Sequence, residues 1–373
     1  MKTFDVIVLG VGGMGSAACY HLAKRGLKTL GIEQFQIAHD QGSSHGETRI
    51  IRRAYFEHPN YVPLLNRSYE LWKDLENESG EKLFIQNGLV IYGNPETSSI
   101  YKGTLESAQK YNVDIQCLSR NEALGRYPYF NPPPGSAAIL EPGAGFLCPE
   151  KSIQAHVALA KKFGAEIHER EKVIRYHAHS DSVTVVTHRE TYHAKKLVIA
   201  GGGWNAHLLQ DLKLSLSLKG MILYWFEAEK DYSLESGVPC FAFHMNQNFF
   251  YGFPMLDGKT IKMGAHFTHR DITEPEQKNM TAVPVDQLVE IQNFVREALP
   301  KASLRLSKFA SCLYTMTPDE NFILDLHPKH PPISIAAGFS GHGFKFSSVV
   351  GEIMADLAID GITQQPIKFL RIR

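Results

Sequence analysis

The segment from residue 4 to residue 33 limits the fold more than any other. It begins with FDVIVLG (4–10), an unbroken apolar run of the kind buried on both faces of a parallel sheet. GVGGMG comes next, then SAACYHLAKRG, whose apolar spacing suits a short helix closed by Gly26. KTLGIE supplies a second strand ending at Glu33. Gly10, Gly12 and Gly15 satisfy GxGxxG: the first allows a tight turn, the second lets the backbone approach a pyrophosphate, and the third lets the helix pack on the strand. Free N–H groups and the dipole at the start of that helix favour phosphate. Glu33 stands where a carboxylate accepts from an adenosine ribose 2′-hydroxyl, which fits NAD or FAD and disfavours NADP. Strand, glycines, helix, strand and terminal acid together predict a dinucleotide site.

Two later segments read as returns to the same sheet. AKKLVIAGGGW (194–204) runs a buried strand into three glycines, with helix-like NAHLLQDL beyond. PISIAAGFSGHGFKFSSVVGEIMADLAIDG (332–361) reads as a strand, a glycine-rich turn and an amphipathic helix from about Phe344. KVIRYHAHSDSVTVVTHRETYHA (172–194) alternates as a small meander on the same domain. GLVIYG (88–93) and the aromatic, β-branched stretches between 218 and 267 predict an inserted antiparallel sheet, with YPYFNPPPGS (127–136) as a surface loop. The expected division puts 1–85, 146–215 and 318–373 in a discontinuous nucleotide-binding domain, and 86–145 with 216–317 in a substrate domain.

At 373 residues the chain is long enough for two such domains. Lys plus Arg and Asp plus Glu number 39 each, a balance that argues against a general nucleic-acid binder. Five scattered cysteines without a CxxC pair support neither a zinc ribbon nor a disulfide framework, and the histidines show no metal-ligand spacing, so no metal is expected. MKTFDVIVLG is not followed by a clear cleavage site for a signal peptide, and no apolar run is long enough to span a bilayer. The expectation is a soluble, cytoplasmic protein with reduced thiols, monomeric by default.

GSSHGETRIIRRAYFEH (42–58) mixes Arg49, Arg52 and Arg53 with isoleucines and an aromatic pair, and raises the prospect of a wall facing an anion. The irregular stretch after Glu33 departs from the regular alternation of a nicotinamide dehydrogenase and is better suited to wrapping an extended FAD. With VIAGGGW, YGFP, SCLYTMTPDENFILD and AAGFSGHGFKFSSVVGE, it makes the chain resemble the covalent-FAD amine oxidases of the monomeric sarcosine oxidase and N-methyltryptophan oxidase family over essentially its whole length. The resemblance implies an α/β fold in which a glutathione-reductase-type, Rossmann-like FAD-binding domain carries an inserted, D-amino-acid-oxidase-like antiparallel-sheet substrate domain. It also implies oxidation of the C–N bond of a secondary amino acid such as sarcosine. O2 is then the acceptor, H2O2 is released, and the imine hydrolyses.

The same resemblance assigns roles. Cys312 matches the cysteine that forms an 8α-S-cysteinyl link to FAD, a step that needs positive charge nearby. Arg52 and Lys345 match the pair that holds the substrate carboxylate. Arg49, with His45 and Thr48 around it, lies close to the flavin ring, and Lys262 matches the lysine that assists the reaction with oxygen. On a strand between Ile261 and Met263, Lys262 faces away from both. Tyr251, His266 and Tyr314 belong to the catalytic pocket. FAD contacts are expected from Gly10, Gly12, Gly13, Met14, Gly15, Glu33, Gln34, Ser43, Thr48, Arg49, Val173, Gly201, Trp204, Gly341, Gly343, Phe344 and Lys345.

Three departures leave the substrate open. Ser44-His45-Gly46-Glu47 replaces the usual His-His-Gly-Asp, Arg53 replaces a histidine, and Gly220 replaces an arginine. Sarcosine, a bulkier N-methyl amino acid such as N-methyltryptophan, a cyclic imino acid such as pipecolate or proline, and a fructosyl amino acid all fit. A flavin dehydrogenase that passes electrons to a protein partner is the rival, and Lys262 argues against it.

Overall fold

A computed structural model describes residues 2–373. The opening strand, Lys2–Leu9, pairs in parallel with Thr29–Ile32 and with Thr191–Ile199. The helix Gly13–Lys24 connects the first two strands, as read from the sequence. Glu166–His168 extends the sheet in parallel beyond Thr29–Ile32. Thr191–Ile199 forks: residues 191–194 pair antiparallel with Val183–Thr187, while residues 197–199 pair in parallel with His330–Ala337. The eight-stranded sheet therefore gathers strands from the start, the middle and the end of the chain, and the meander is its antiparallel margin. Its central strand is apolar on both faces because both faces are covered: Val6 and Val8 enter one core, Ile7 and Leu9 the other.

The helices Gly13–Lys24, Val62–Ser79, Pro149–Lys162 and Ser347–Asp360 share the first of these cores. Ser347–Asp360 is not the amphipathic helix expected from sequence; it is buried on nearly every side. A Cβ on Gly351 would stand 2.5 Å from the Ala17 backbone, so two helices meet there through main chain. Two acids of Ser347–Asp360, Glu352 and Asp356, pair with Arg67 and Arg25. NAHLLQDL is likewise shorter than expected, with one α-turn at Asn205–Leu208 and a 3-10 turn at Gln210–Leu212.

The second sheet has nine strands. Its longest, Ala302–Met316, lies antiparallel to Ser217–Ala228, and Thr260–Ala265, Asn248–Gly252 and Cys240–Met245 follow in antiparallel order. Leu89–Gly93 then joins Cys240–Met245 in parallel, so the sheet is mixed rather than purely antiparallel. The helix Val285–Ala298 covers one face, and Tyr127 and Phe130 of the proline-rich stretch are buried in the same core rather than lying on the surface. A small three-stranded sheet of Arg49–Ile51, Phe84–Ile85 and Gly145–Leu147 carries Arg49 and presents Arg52 immediately beyond its end.

Candidate active site

One cavity of about 750 Å³ runs from the glycine turn after Lys2–Leu9 to the second sheet. Its first end is made of backbone. Gly10 has φ +83°, and a Cβ there would sit 2.7 Å from the Ala200 carbonyl oxygen. A Cβ on Gly15 would fall 1.8 Å from the Gly10 oxygen, whereas Gly12 faces open space. Gly13, Met14, Gln34, Val173, Gly201 and Trp204 line the same end. Glu33 is buried, with Oε2 accepting from Val11 N–H at 2.9 Å and Oε1 from Phe35 N–H at 3.0 Å. Burial alone would raise its pKa, but the His39 ring and these N–H groups outweigh that and hold it below the ordinary value. An ionised carboxylate keeps further lone pairs for ribose hydroxyls.

The middle of the cavity is where Ala302–Met316 approaches the turn formed by Gly341 and Gly343. Tyr314 lies flat over Gly341, where an added Cβ would be 2.3 Å from its ring. Cys312 is buried beside Arg49: Nη2 stands 3.5 Å from Sγ and donates to the Ser43 carbonyl at 2.8 Å, while Nη1 donates to the Thr48 carbonyl at 2.8 Å. His45, Thr48 and Lys262 are one layer behind this wall rather than on the cavity surface. Lys262 Nζ donates to the Thr48 carbonyl at 2.8 Å, to Thr48 Oγ1 at 2.9 Å and to the Gly46 carbonyl. It does face away from Ile261 and Met263, which belong to the second sheet's core, and it is buried. Burial, reinforced by Arg49, holds the Lys262 ammonium well below its ordinary pKa. The same two causes, in the same order, push His45 down to about 3.

The far end holds the charged pair expected for a carboxylate. Arg52 and Lys345 are 4% and 6% exposed and both line the cavity with Phe344, Phe249, Tyr251 and His266. Lys345 Nζ donates to the His342 carbonyl at 2.6 Å and to Tyr55 Oη at 3.3 Å. His342 Nε2 faces the Glu320 carbonyl at 3.0 Å, so the ring proton belongs there. Nδ1 then accepts from the Tyr55 hydroxyl at 2.6 Å. This orients the Tyr55 oxygen toward the ammonium. Burial, followed by Arg52, lowers Lys345 to about 7 despite Glu57. Burial lowers His266 to about 4, and its Nδ1 lies 3.4 Å from the Tyr314 hydroxyl.

Glu57 was not anticipated. Both its oxygens accept from Arg52 Nη2, at 2.8 and 2.7 Å, and the guanidinium also lies over the Tyr55 and Phe56 rings. Burial would raise Glu57, but Arg52 and the other cations hold it at about 2. The acid stands five residues beyond Arg52 in GSSHGETRIIRRAYFEH, and that proximity was the available signal. Asp211, His327 and His330, none of which lines this cavity, also bring ligand atoms within 4.8 Å of one another. His327 Nδ1 accepts from Lys329 N–H, so Nε2 carries the proton toward Asp211 at 2.8 Å and the pair is a complete hydrogen bond.

Residues 5–357 match the model of the FAD dependent oxidoreductase family. The chain belongs to that family. This oxidoreductase is 40% identical to the monomeric sarcosine oxidase of Bacillus sp. (strain NS-129), a similarity that covers 99% of this chain and 96% of that one. It is 35% identical to the N-methyl-L-tryptophan oxidase of Salmonella gallinarum over 95% of each chain. Its fold matches NikD, described as an unusual amino acid oxidase essential for nikkomycin biosynthesis, with a TM-score of 0.87 over 100% of this chain and 98% of that one at 24% identity. The residues present fit FAD. Gly10, Gly12 and Gly13 border the cavity with bare backbone, Gly12 facing open space, and buried Glu33 at the same end keeps lone pairs for a ribose. No helix among the described residues is long and apolar enough to cross a membrane.

Proposed function

We propose that this oxidoreductase oxidises the C–N bond of a secondary amino acid of the sarcosine or N-methyl amino acid class, with O2 as acceptor and H2O2 as product. FAD, when bound, supplies the two-electron oxidation. The observation that carries the reading is the convergence of buried Arg52 and Lys345 on an aromatic-walled end of the FAD cavity. Arg52 already grips a carboxylate through both oxygens of Glu57, so its guanidinium is shaped for the substrate's carboxylate once Glu57 gives way. Lys345 adds a second donor; its third N–H has no partner among the described residues. Phe56, Phe249 and Tyr251 exclude water around the carbon that reacts. His266 is neutral at pH 7, so it shapes and orients rather than carrying charge.

Two finer assignments belong to the same reading. Arg49 Nη2 stands 3.5 Å from Cys312 Sγ where Cys312 borders the cavity, which supports an 8α-S-cysteinyl link to FAD. Lys262, fixed by three oxygens behind Arg49, is the cation assigned to the reaction with O2. Anaerobic mixing of the holoenzyme with sarcosine, N-methyltryptophan, pipecolate and proline tests the reaction. At least one is expected to bleach the flavin, with H2O2 released when air is admitted; bleaching by none of them sinks the proposal. Acid precipitation tests the link, since a yellow pellet supports it and a colourless one refutes it.

A further inference from the structure

We infer that Glu141 positions Arg52 for its ligand, acting through the Ala54 peptide, with Arg53 bracing the same segment. The inference rests on the assignment of Arg52 to the substrate carboxylate. Glu141 ends the strand Ala137–Glu141 of the second sheet and is 4% exposed. Its Oε1 accepts from Arg53 N–H at 2.7 Å and its Oε2 from Ala54 N–H at 3.0 Å. The carbonyl of Ala54 then accepts from Arg52 Nη1 at 2.9 Å. A single residue, hydrogen-bonded on both sides, thus connects a buried carboxylate of the substrate sheet to the guanidinium that faces the cavity.

The chemistry of the contact calls for a carboxylate. Two successive backbone N–H groups need two acceptor oxygens, and a glutamine offers one oxygen plus an NH2 that would oppose a donor. Burying an acid here is costly: burial raises the Glu141 pKa, against the pull of the two N–H groups and of Arg52 and Arg53. The Arg53 side chain, otherwise without a role, lies over the Tyr69 ring at 3.5 Å. The Tyr69 hydroxyl donates to the Gly143 carbonyl at 3.1 Å, in the turn that follows Glu141. Arg53 therefore staples the Arg52 segment to the turn that carries its acidic anchor.

The experiment titrates holoenzyme with methoxyacetate, a carboxylate that lacks the amine, and reads binding from the flavin spectrum. Glu141→Gln is expected to weaken binding about tenfold, equivalent to about 1.4 kcal/mol. The resting flavin spectrum and the bleaching rate at saturating substrate should change by less than about threefold, because a positioning role acts on binding. In an Arg52→Ala background the same change should weaken binding by less than about twofold. The inference is overturned by an equal loss in both backgrounds, by no loss in either, or by a fall in the saturating rate with binding intact. If Arg52→Ala alone leaves methoxyacetate binding unchanged, it is the carboxylate assignment that fails. Should Glu141→Gln yield no folded holoenzyme, Arg53→Met, which keeps the backbone N–H, is expected to weaken binding about threefold, and only when Arg52 is present.

Discussion

The two ends of the cavity are built from different materials. The glycine end is backbone: Gly10, Gly12 and Gly13 border the cavity, and Gly15 lets the helix pack against the Gly10 carbonyl behind them. The far end is charge: Arg52, Lys345 and Glu141 are buried and Glu57 is partly buried, with each cation held by named oxygens. Backbone cradles are rigid and indifferent to pH. A buried charge network is adjustable, because each member sets the pKa and the partner of the next. On the proposed reading, the molecule keeps its cofactor with geometry and chooses its substrate with electrostatics.

The largest test of this contrast is Gly15→Val. With a Cβ placed 1.8 Å from the Gly10 oxygen, the cradle must deform at about 3 kcal/mol or more, and the purified protein is expected to retain no FAD by absorbance. Retention of a full complement would show that the first end is not a rigid surface. Next, Arg52→Ala strands the Glu57 carboxylate in a buried site, which should cost about 3–5 kcal/mol of stability and raise KM roughly tenfold to a hundredfold with flavin retained. Adding Glu57→Gln should recover most of the thermal stability and none of the substrate affinity. Recovery of both would place Arg52 in structure rather than binding.

The smallest effect is a pH slope. Lys345 sits near 7 in the folded protein against an ordinary 10.5, so the free enzyme loses this ammonium as pH rises through about 7. Methoxyacetate affinity should fall above that point by up to about tenfold per pH unit. His266 near 4, His342 near 3 and Glu57 near 2 keep fixed charges over the same window. The unfolded chain binds more protons than the fold between about 7 and 10.5, so Lys345 makes stability rise with pH across that window. Lys345→Met should flatten the affinity profile, and an unchanged slope would assign the titration to another group.

The same contrast explains what was legible in the sequence. Gly10, Gly15 and Glu33 are dictated by local backbone geometry, so a short window of residues identifies them. The forked strand Thr191–Ile199 and its glycine turn were visible for the same reason, as a buried apolar run. Tyr55 and His342 were not, because their meaning lies in partners supplied from elsewhere: His342 orients Tyr55 across 287 residues of sequence, whereas Glu57 has its partner Arg52 only five residues away. Glu141 is 88 residues from the N–H it holds, and in sequence it is only an acid before a proline. The burial of the last helix is not legible in its own residues either, because the partners of Glu352 and Asp356 are Arg67 and Arg25, 285 and 331 residues away. The mixed pairing of Leu89–Gly93 was hidden similarly, since strand direction is decided by the long connection to Cys240–Met245.

The forked strand also has a consequence for biosynthesis. Lys2–Leu9 is translated well before its neighbour Thr191–Ile199, and that strand's own partner His330–Ala337 follows later again. The turn through Gly341 and Gly343, which closes the middle of the cavity, comes later still. Contacts this distant in sequence make closure a late and slow event in folding. A nascent chain that has reached Cys312 still lacks the 341–345 wall of the cavity. The cavity therefore has all its walls only once residues 330–345 have joined the sheet and the turn beyond it.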